Sequence, residues 1–360
     1  MSQKKKNVKF SIIFSVLFSV TIIAFILYFT ITPETIDYLL TTPIRYEYFV
    51  LAGLFNFLIW GLWGIRIKIL SRAIDSSSDI TVLEATKIVI ANLFLANITP
   101  SMAGGEPVRI YLLKKNGLHV GGATAVTLGE RLLDALVFLF CVPAAFFLYG
   151  RYITNEYLQT GLYIAVFVFI ILVILFLYTI LNPKKIKSFL FKITKFSKRI
   201  RKKENPSKVL MKKIDHEVDN FHKSMSFFLT KGKKTFLLAG FITVLFWFST
   251  WSIPIFLLLG LGIKPTFFFE SYAAQVLIVL IAMMPTTPGS TGVSEGGIAA
   301  LYGVFISSSL LGVFILLFRF ITYHMGLIMG AIFQYKIFKS VASFSTDMIK
   351  TETEQEAEFR

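Results

Sequence analysis

Apolar runs of about twenty residues constrain this chain more than any other feature, because a run of that length crosses a hydrocarbon core as one helix. The first is FSIIFSVLFSVTIIAFILYFTI at 10–31. Comparable runs occupy 47–65, 123–149, 161–181, 235–260 and 310–335. In hydrocarbon every backbone amide needs a partner within the protein, which leaves helices or closed barrels. Continuous runs of this length select helices. The expected fold class is an all-α polytopic membrane protein with about six full spans. Composition agrees: 55% of the residues are hydrophobic and 38 are phenylalanine, too apolar for an ordinary soluble domain. The first run follows KKK and lacks a small-residue cleavage site, so it reads as a retained signal anchor.

Two apolar segments, 82–105 and 270–306, are broken by proline and glycine. Treating each as a re-entrant hairpin, entering and leaving on one side, sorts the charges. Of the 37 Lys and Arg residues, 31 fall in the segments 1–9, 66–81, 106–119, 182–234 and 336–360. Only Arg45, Arg151 and Lys264 fall in the opposite loops. The long 182–234 loop counts for little in such a tally, and without it the split is still 14 to 3. The positive-inside rule then places a multi-pass protein in the cell membrane with both termini cytoplasmic. The net charge of +16 follows from topology and calls for no nucleic-acid partner.

The two broken segments match each other. NITPSMAGGEPVR (97–109) and PTTPGSTGVSEGG (285–297) both run proline, glycine, glutamate, with Glu106 and Glu295 as the acids. Trp60 lies 46 residues before Glu106, and Trp247 lies 48 before Glu295. Arg131 follows Glu106 by 25 residues, and Arg319 follows Glu295 by 24. This predicts an internal repeat, with repeat one at about 45–149 and repeat two at about 235–335. On the topology above the repeats are inverted, as in many secondary transporters, whose sites form where discontinuous helices meet. Pro100, Pro285 and Pro288 are the expected helix breakers. Gly104, Gly105, Gly289 and Gly292 allow close backbone approach.

Charges within the membrane zone are the candidate site residues. Glu130 and Asp134 are four apart in GERLLDAL, and Arg131 and Asp134 three apart, so the pairs share helix faces. A lone mid-bilayer charge costs at least ~2.5–3.5 kcal/mol on insertion scales, so such groups face a cavity or one another. Glu295 is the expected counter-charge of Arg319. Arg109, near the cytoplasmic interface beside Glu106, offers forked donors suited to a phosphate. Asn97 belongs to an NIT sequon whose apolar, cytoplasm-facing context argues against glycosylation.

Residues 182–234 form the one substantial soluble excursion. Leu210, Ile214, Val218, Phe221, Met225 and Phe228 recur every three or four residues, which predicts an amphipathic helix, either lying on an anionic leaflet or serving as a basic connector. The tail 336–360 is polar. No P-loop occurs, since KGKKT lacks the upstream glycine, and HEVDNFH lacks the second histidine of a zinc-protease motif. No Asp-x-Asp pair offers nucleotide-sugar metal binding, and the four histidines are scattered. The single cysteine, Cys141, builds neither a disulfide framework nor a thiolate metal site. The expectation is therefore no catalytic residues, no metal and no cofactor; a homo-oligomer is allowed.

The segments ANLFLANITPSMAGGEPVRIYLLKK, GGATAVTLGERLLD, MMPTTPGSTGVSEGGIAALYG and LLFRF resemble the lysylphosphatidylglycerol synthase transmembrane family, also called the flippase-like domain family, in a stand-alone prokaryotic or archaeal form. The resemblance covers nearly the whole chain. It implies a membrane domain that moves lipids or lipid-linked headgroups between leaflets, here without the soluble transferase domain found in some members. Positions matching the family pattern are Asn97, Pro100, Gly104, Glu106, Arg109, Glu130, Arg131, Asp134, Pro288, Gly289, Gly292, Glu295 and Arg319. PGSTGVSE departs from the plainer glycine-rich run more usual there. The expected function is a flippase for an anionic or polyprenyl-linked lipid, the phosphate held by Arg109, Arg131 and the glycine amides. Two alternatives remain open: a membrane-embedded transferase with Glu106 or Glu130 as base, and an ion-coupled transporter of a small solute.

Overall fold

The computed structural model describes residues 32–76, 78–99, 104–153, 156–182, 208–263, 268–282 and 290–333, together with Thr21 and Tyr28. The rest of the expected anchor, Pro100, Pro285, Pro288, Gly289, residues 183–207 and the tail from 334 lie outside the described residues. The described elements are all helical: α1 (Pro33–Thr41), α2 (Tyr46–Ile74), α3 (Val82–Ile98), α4 (Gly105–Lys115), α5 (Val120–Tyr149), α6 (Glu156–Leu181), α7 (Lys208–Leu229), α8 (Lys233–Gly260), α9 (Phe268–Ala282), α10 (Val293–Tyr302) and α11 (Ser308–Arg319). A π-helical turn, Phe320–His324, continues α11 into an apolar helix that ends at Phe333.

Among the described residues, four helical stretches are long and apolar enough to cross a membrane: Tyr46–Ile74, Val120–Tyr152, Lys233–Gly260 and Ser308–Phe333. The expected span 161–181 falls within α6. The apolar core is accompanied by two features foreign to a water-soluble protein. Phe140, Phe147, Leu237 and Phe241 are exposed, whereas Arg66, Arg109, Glu130 and Asp134 are buried. A lipid solvent accounts for both halves of that pattern.

Two segments expected to be cytoplasmic connections are partly helix. The segment 66–81, read as cytoplasmic, begins inside α2, which runs on to Ile74 and carries Arg66 into the core. The segment 106–119 contains α4, whose Pro107 falls in the first turn, where its missing N–H costs little. The charge tally loses Arg66 and Arg109 from its loop side.

The broken segments are helix pairs. In the first, α3 starts on a capping box, where Thr81 Oγ1 accepts from Glu84 N (3.2 Å) and Thr81 N donates to Glu84 Oε2 (2.9 Å). Its second limb is α4. In the second, α9 and α10 flank the break. Gly292 enters α10 at φ +91°, a conformation open to glycine, and its N–H donates to Glu295 Oε2 (2.6 Å). Residues 46–149 and 233–333 thus both run long helix, short, short, long. The contacts follow the same scheme in both. The α2–α8 pairing is the most extensive, and each of these helices also reaches the other unit's last helix. Asn56 Nδ2 donates to Ile321 O (2.8 Å), and Trp247 Nε1 donates to Asp134 Oδ1 (3.0 Å). Likewise α3 packs on the continuation of α11 through Phe94, Ile98, Tyr323 and Leu327, while α9 packs on α5.

The amphipathic helix of the basic excursion is α7. Val218, Phe221, Met225 and Phe228 are buried and α7 packs against α5; the side chains of Leu210 and Ile214 lie outside the described residues. The approach is close because Gly121 has no side chain. A Cβ there would lie 2.6 Å from Asn220 Cβ and 2.7 Å from Phe221 N. Glu217 Oε2 accepts from Gly121 N (2.7 Å) at the start of α5.

Candidate functional site

Three helices deliver six charges to one place. On α5, Glu130 and Asp134 stand one turn apart with Arg131 beside them. On α4, Glu106 and Arg109 are three apart, and on α2 so are Trp63 and Arg66. The depth of α4 is set by α3. A Cβ on Gly105 would lie 2.8 Å from Asn92 Oδ1 and 3.0 Å from Ala96 Cβ, and Gly104 N donates to Thr99 Oγ1 (2.9 Å). The openness of both glycines is therefore taken up by packing on α3.

The six side chains close into a ring of alternating sign. Arg66 Nε meets Glu130 Oε1 (2.8 Å), and Glu130 Oε2 meets Arg109 Nη1 (3.0 Å). Arg109 Nη2 donates to Glu106 Oε2, and Glu106 Oε1 accepts from Arg131 Nε (2.9 Å). Arg131 Nη1 meets Asp134 Oδ2 (3.0 Å), and Asp134 Oδ1 returns to Arg66 Nη1 (2.7 Å). Trp63 sits among the cations. Its ring centroid is 6.0 Å from the Arg66 guanidinium carbon, 5.6 Å from that of Arg109 and 5.9 Å from that of Arg131, within cation–π range. From α8, Thr243 Oγ1 accepts from Arg66 Nη1 (3.2 Å), and Trp247 Nε1 donates to Asp134 Oδ1.

Three positive and three negative charges make the ring neutral. That matters because moving an ion out of water costs several kcal/mol, offset only by well-placed partners. Exposure is uneven. The side chains of Glu106 and Arg131 are 40% and 38% exposed, while those of Glu130, Arg109, Arg66 and Asp134 are at most 6% exposed. The ring has one open edge.

A smaller centre lies on the second broken segment. Arg319 Nε meets Glu295 Oε1 (2.8 Å), the same atoms that join Arg131 to Glu106. Arg319 Nη2 donates to Thr291 Oγ1 (3.3 Å), and its guanidinium carbon lies 4.3 Å from the Tyr323 ring centroid. Tyr323 OH donates to Asn97 O (3.3 Å), which ties this centre to α3. The π-helical turn follows directly after Arg319, a departure from α geometry frequent at functional sites.

The sequence-derived residues thus divide. Glu106, Arg109, Glu130, Arg131 and Asp134 meet in the ring; Glu295, Arg319 and the Asn97 carbonyl meet in the second centre. Gly292 shapes the entry to α10. Sequence reasoning missed Arg66, Trp63 and Thr243, and the role of the Trp247 indole. A signal for Arg66 existed: Glu106, Glu130 and Asp134 outnumber Arg109 and Arg131, so a buried cluster lacked one cation. Among the described residues no group of three His, Cys, Asp or Glu is placed to hold a metal ion.

The fold and these centres define a polytopic helical membrane protein with an ion-paired interior. Residues 12–330 match the lysylphosphatidylglycerol synthase TM region, and the chain belongs to that family. It is 32% identical over 294 residues to a UPF0104 membrane protein of Archaeoglobus fulgidus, covering 81% of this chain and 87% of that protein. It is 28% identical over 293 residues to a UPF0104 membrane protein of Methanocaldococcus jannaschii, covering 79% and 83%.

Proposed function

We propose that the protein is a flippase-like translocase moving an anionic or polyprenyl-linked lipid between leaflets. The observation that carries this reading is the open edge of the ring, Glu106 with Arg131, on a bundle whose outer face is apolar. The apolar face lets the lipid tail stay in hydrocarbon, so only the headgroup needs a polar route. Arg131 at the edge, with Arg109 enclosed behind Glu106, supplies forked, permanently charged donors for its phosphate. The two broken-helix units act as an inverted repeat with both termini cytoplasmic. Glu106–Arg131 then serves one leaflet and Glu295–Arg319 the other, and rocking of one unit against the other alternates access. The chemistry is positional, with every carboxylate of the ring already joined to arginine.

The test is leaflet exchange in proteoliposomes carrying fluorescent phosphatidylglycerol, fluorescent phosphatidylcholine or a labelled polyprenyl phosphate. Purified protein should speed exchange of an anionic lipid above the rate in empty liposomes. Rates equal to empty liposomes for every lipid would refute the reading. Covalently altered lipid would instead point to a transferase.

A further inference from the structure

Glu106 differs from the other ring carboxylates. Glu130 and Asp134 are enclosed, whereas Glu106 is part-exposed and stands at the open edge. Its two oxygens serve two different arginines, Oε2 taking Arg109 Nη2 and Oε1 taking Arg131 Nε. Two non-bridging oxygens of a phosphate make the same demand on a pair of guanidiniums. Glu106 and Arg131 are the exposed members of the ring, so an incoming anion meets it at their edge, with Trp63 set among all three guanidiniums.

We propose that Glu106 is a built-in stand-in for the ligand phosphate, and that a phosphodiester monoanion displaces it. On binding, the Glu106 side chain swings to the exposed side, and the two phosphate oxygens take its places on Arg109 and Arg131. This deepens the translocase reading and rests on it. Charge narrows the substrate class. Exchanging one carboxylate for one phosphodiester keeps three charges of each sign in the ring. A phosphomonoester, near −2 at neutral pH, would add a negative charge beside the enclosed Glu130 and Asp134. Buried excess charge of that kind is strongly unfavourable. The site therefore takes a headgroup whose phosphate is esterified on both sides, as in a glycerophospholipid or a glycosyl polyprenyl phosphate, over one with a terminal phosphate.

The experiment is calorimetric titration of the full-length protein in detergent, as wild type, Glu106→Gln and Arg131→Gln. The probes are dihexanoyl phosphatidylglycerol, dihexanoyl phosphatidic acid, glycerophosphoglycerol and inorganic phosphate. Glu106→Gln removes the competing anion, so it should bind the diester lipid about tenfold tighter than wild type. Arg131→Gln should lose binding, and phosphatidic acid should bind more weakly than phosphatidylglycerol to the wild type. Glycerophosphoglycerol should show the same gain at lower affinity; a gain for this soluble diester or for inorganic phosphate, with none for the lipid, overturns the lipid source. If Glu106→Gln binds the lipid no tighter than wild type while leaflet exchange persists, the stand-in role falls and the translocase reading stands. If all three proteins bind the lipid equally, both fall. Should Glu106→Gln fail to fold, Glu106→Asp, with its shorter reach, must show a gain in the same direction.

Discussion

Arg66→Met tests the ring where it is most enclosed. Arg66 donates to Glu130 (2.8 Å), Asp134 (2.7 Å) and Thr243 (3.2 Å) from a fully buried position. Removing one partner of a buried ion pair costs about 3–5 kcal/mol, because the remaining charge is left uncompensated. Here each carboxylate keeps one arginine, Glu130 with Arg109 and Asp134 with Arg131, both at 3.0 Å. Asp134 also keeps the Trp247 indole at 3.0 Å. The cost belongs at the low end, about 3 kcal/mol, or a fall in unfolding temperature of roughly 5–10 °C. Glu130→Gln alone leaves a positive excess and should cost a similar amount. The double variant restores neutrality, with Glu106, Arg109, Arg131 and Asp134 remaining. It should therefore lose less than the two single changes together, by about 2 kcal/mol or more. Thermal unfolding in detergent, reported by a thiol-reactive dye on the single, partly buried Cys141, measures all four proteins. An Arg66→Met protein that unfolds at the wild-type temperature, or losses that simply add, would refute the charge-balance argument.

Other predictions concern separate parts of the fold. Gly121→Val drives a side chain into the α7 backbone, 2.7 Å from Phe221 N by its Cβ alone. It should cost about 2 kcal/mol and raise trypsin cleavage within α7, and unchanged cleavage would mean that the two helices do not pack as described. Glu295→Gln leaves Arg319 without its 2.8 Å carboxylate and should destabilise by about 3 kcal/mol. Unchanged stability together with unchanged transport would remove both roles of the pair. At the start of α3, the Thr81 backbone N–H and then its hydroxyl hold the Glu84 carboxyl below its ordinary value. A depressed folded-state pKa means the cap's contribution is fully present above the unfolded pKa and fades as pH falls through the folded one. Glu84→Gln should therefore cost under ~1 kcal/mol at neutral pH and nothing at the acid end, as unfolding temperatures against pH will show.

The legibility of this chain follows from what a membrane does to sequence. Glu295 with Arg319 and Asp134 with Arg131 were visible because a charge in an apolar run demands a partner, whereas the Glu106–Arg131 pair, 25 residues apart on two helices, emerged only from the fold. Arg66 was not visible either. It ends the apolar run 47–65, where a buried arginine and a cytoplasmic one look alike. Only the surplus carboxylate pointed inward. Helix α4 hid behind Gly104, Gly105 and Pro107, a composition typical of a loop but equally suited to a first turn pressed against α3. The period of α7 fixed its apolar face, yet periodicity cannot say what covers a face, and here α5 does. The closure of the ring was beyond reach because it depends on α2, α4 and α5 meeting, a tertiary fact.

The most direct measurement is the rate of leaflet exchange of fluorescent phosphatidylglycerol by wild type and Arg131→Gln at equal reconstitution, with folding of the variant checked by its unfolding temperature. Arg131 forms the open edge with Glu106, and its side chain is 38% exposed, so it is placed to meet the headgroup. The account predicts exchange well above empty liposomes for wild type and a loss to near background for the folded variant. Equal exchange by both proteins would contradict it.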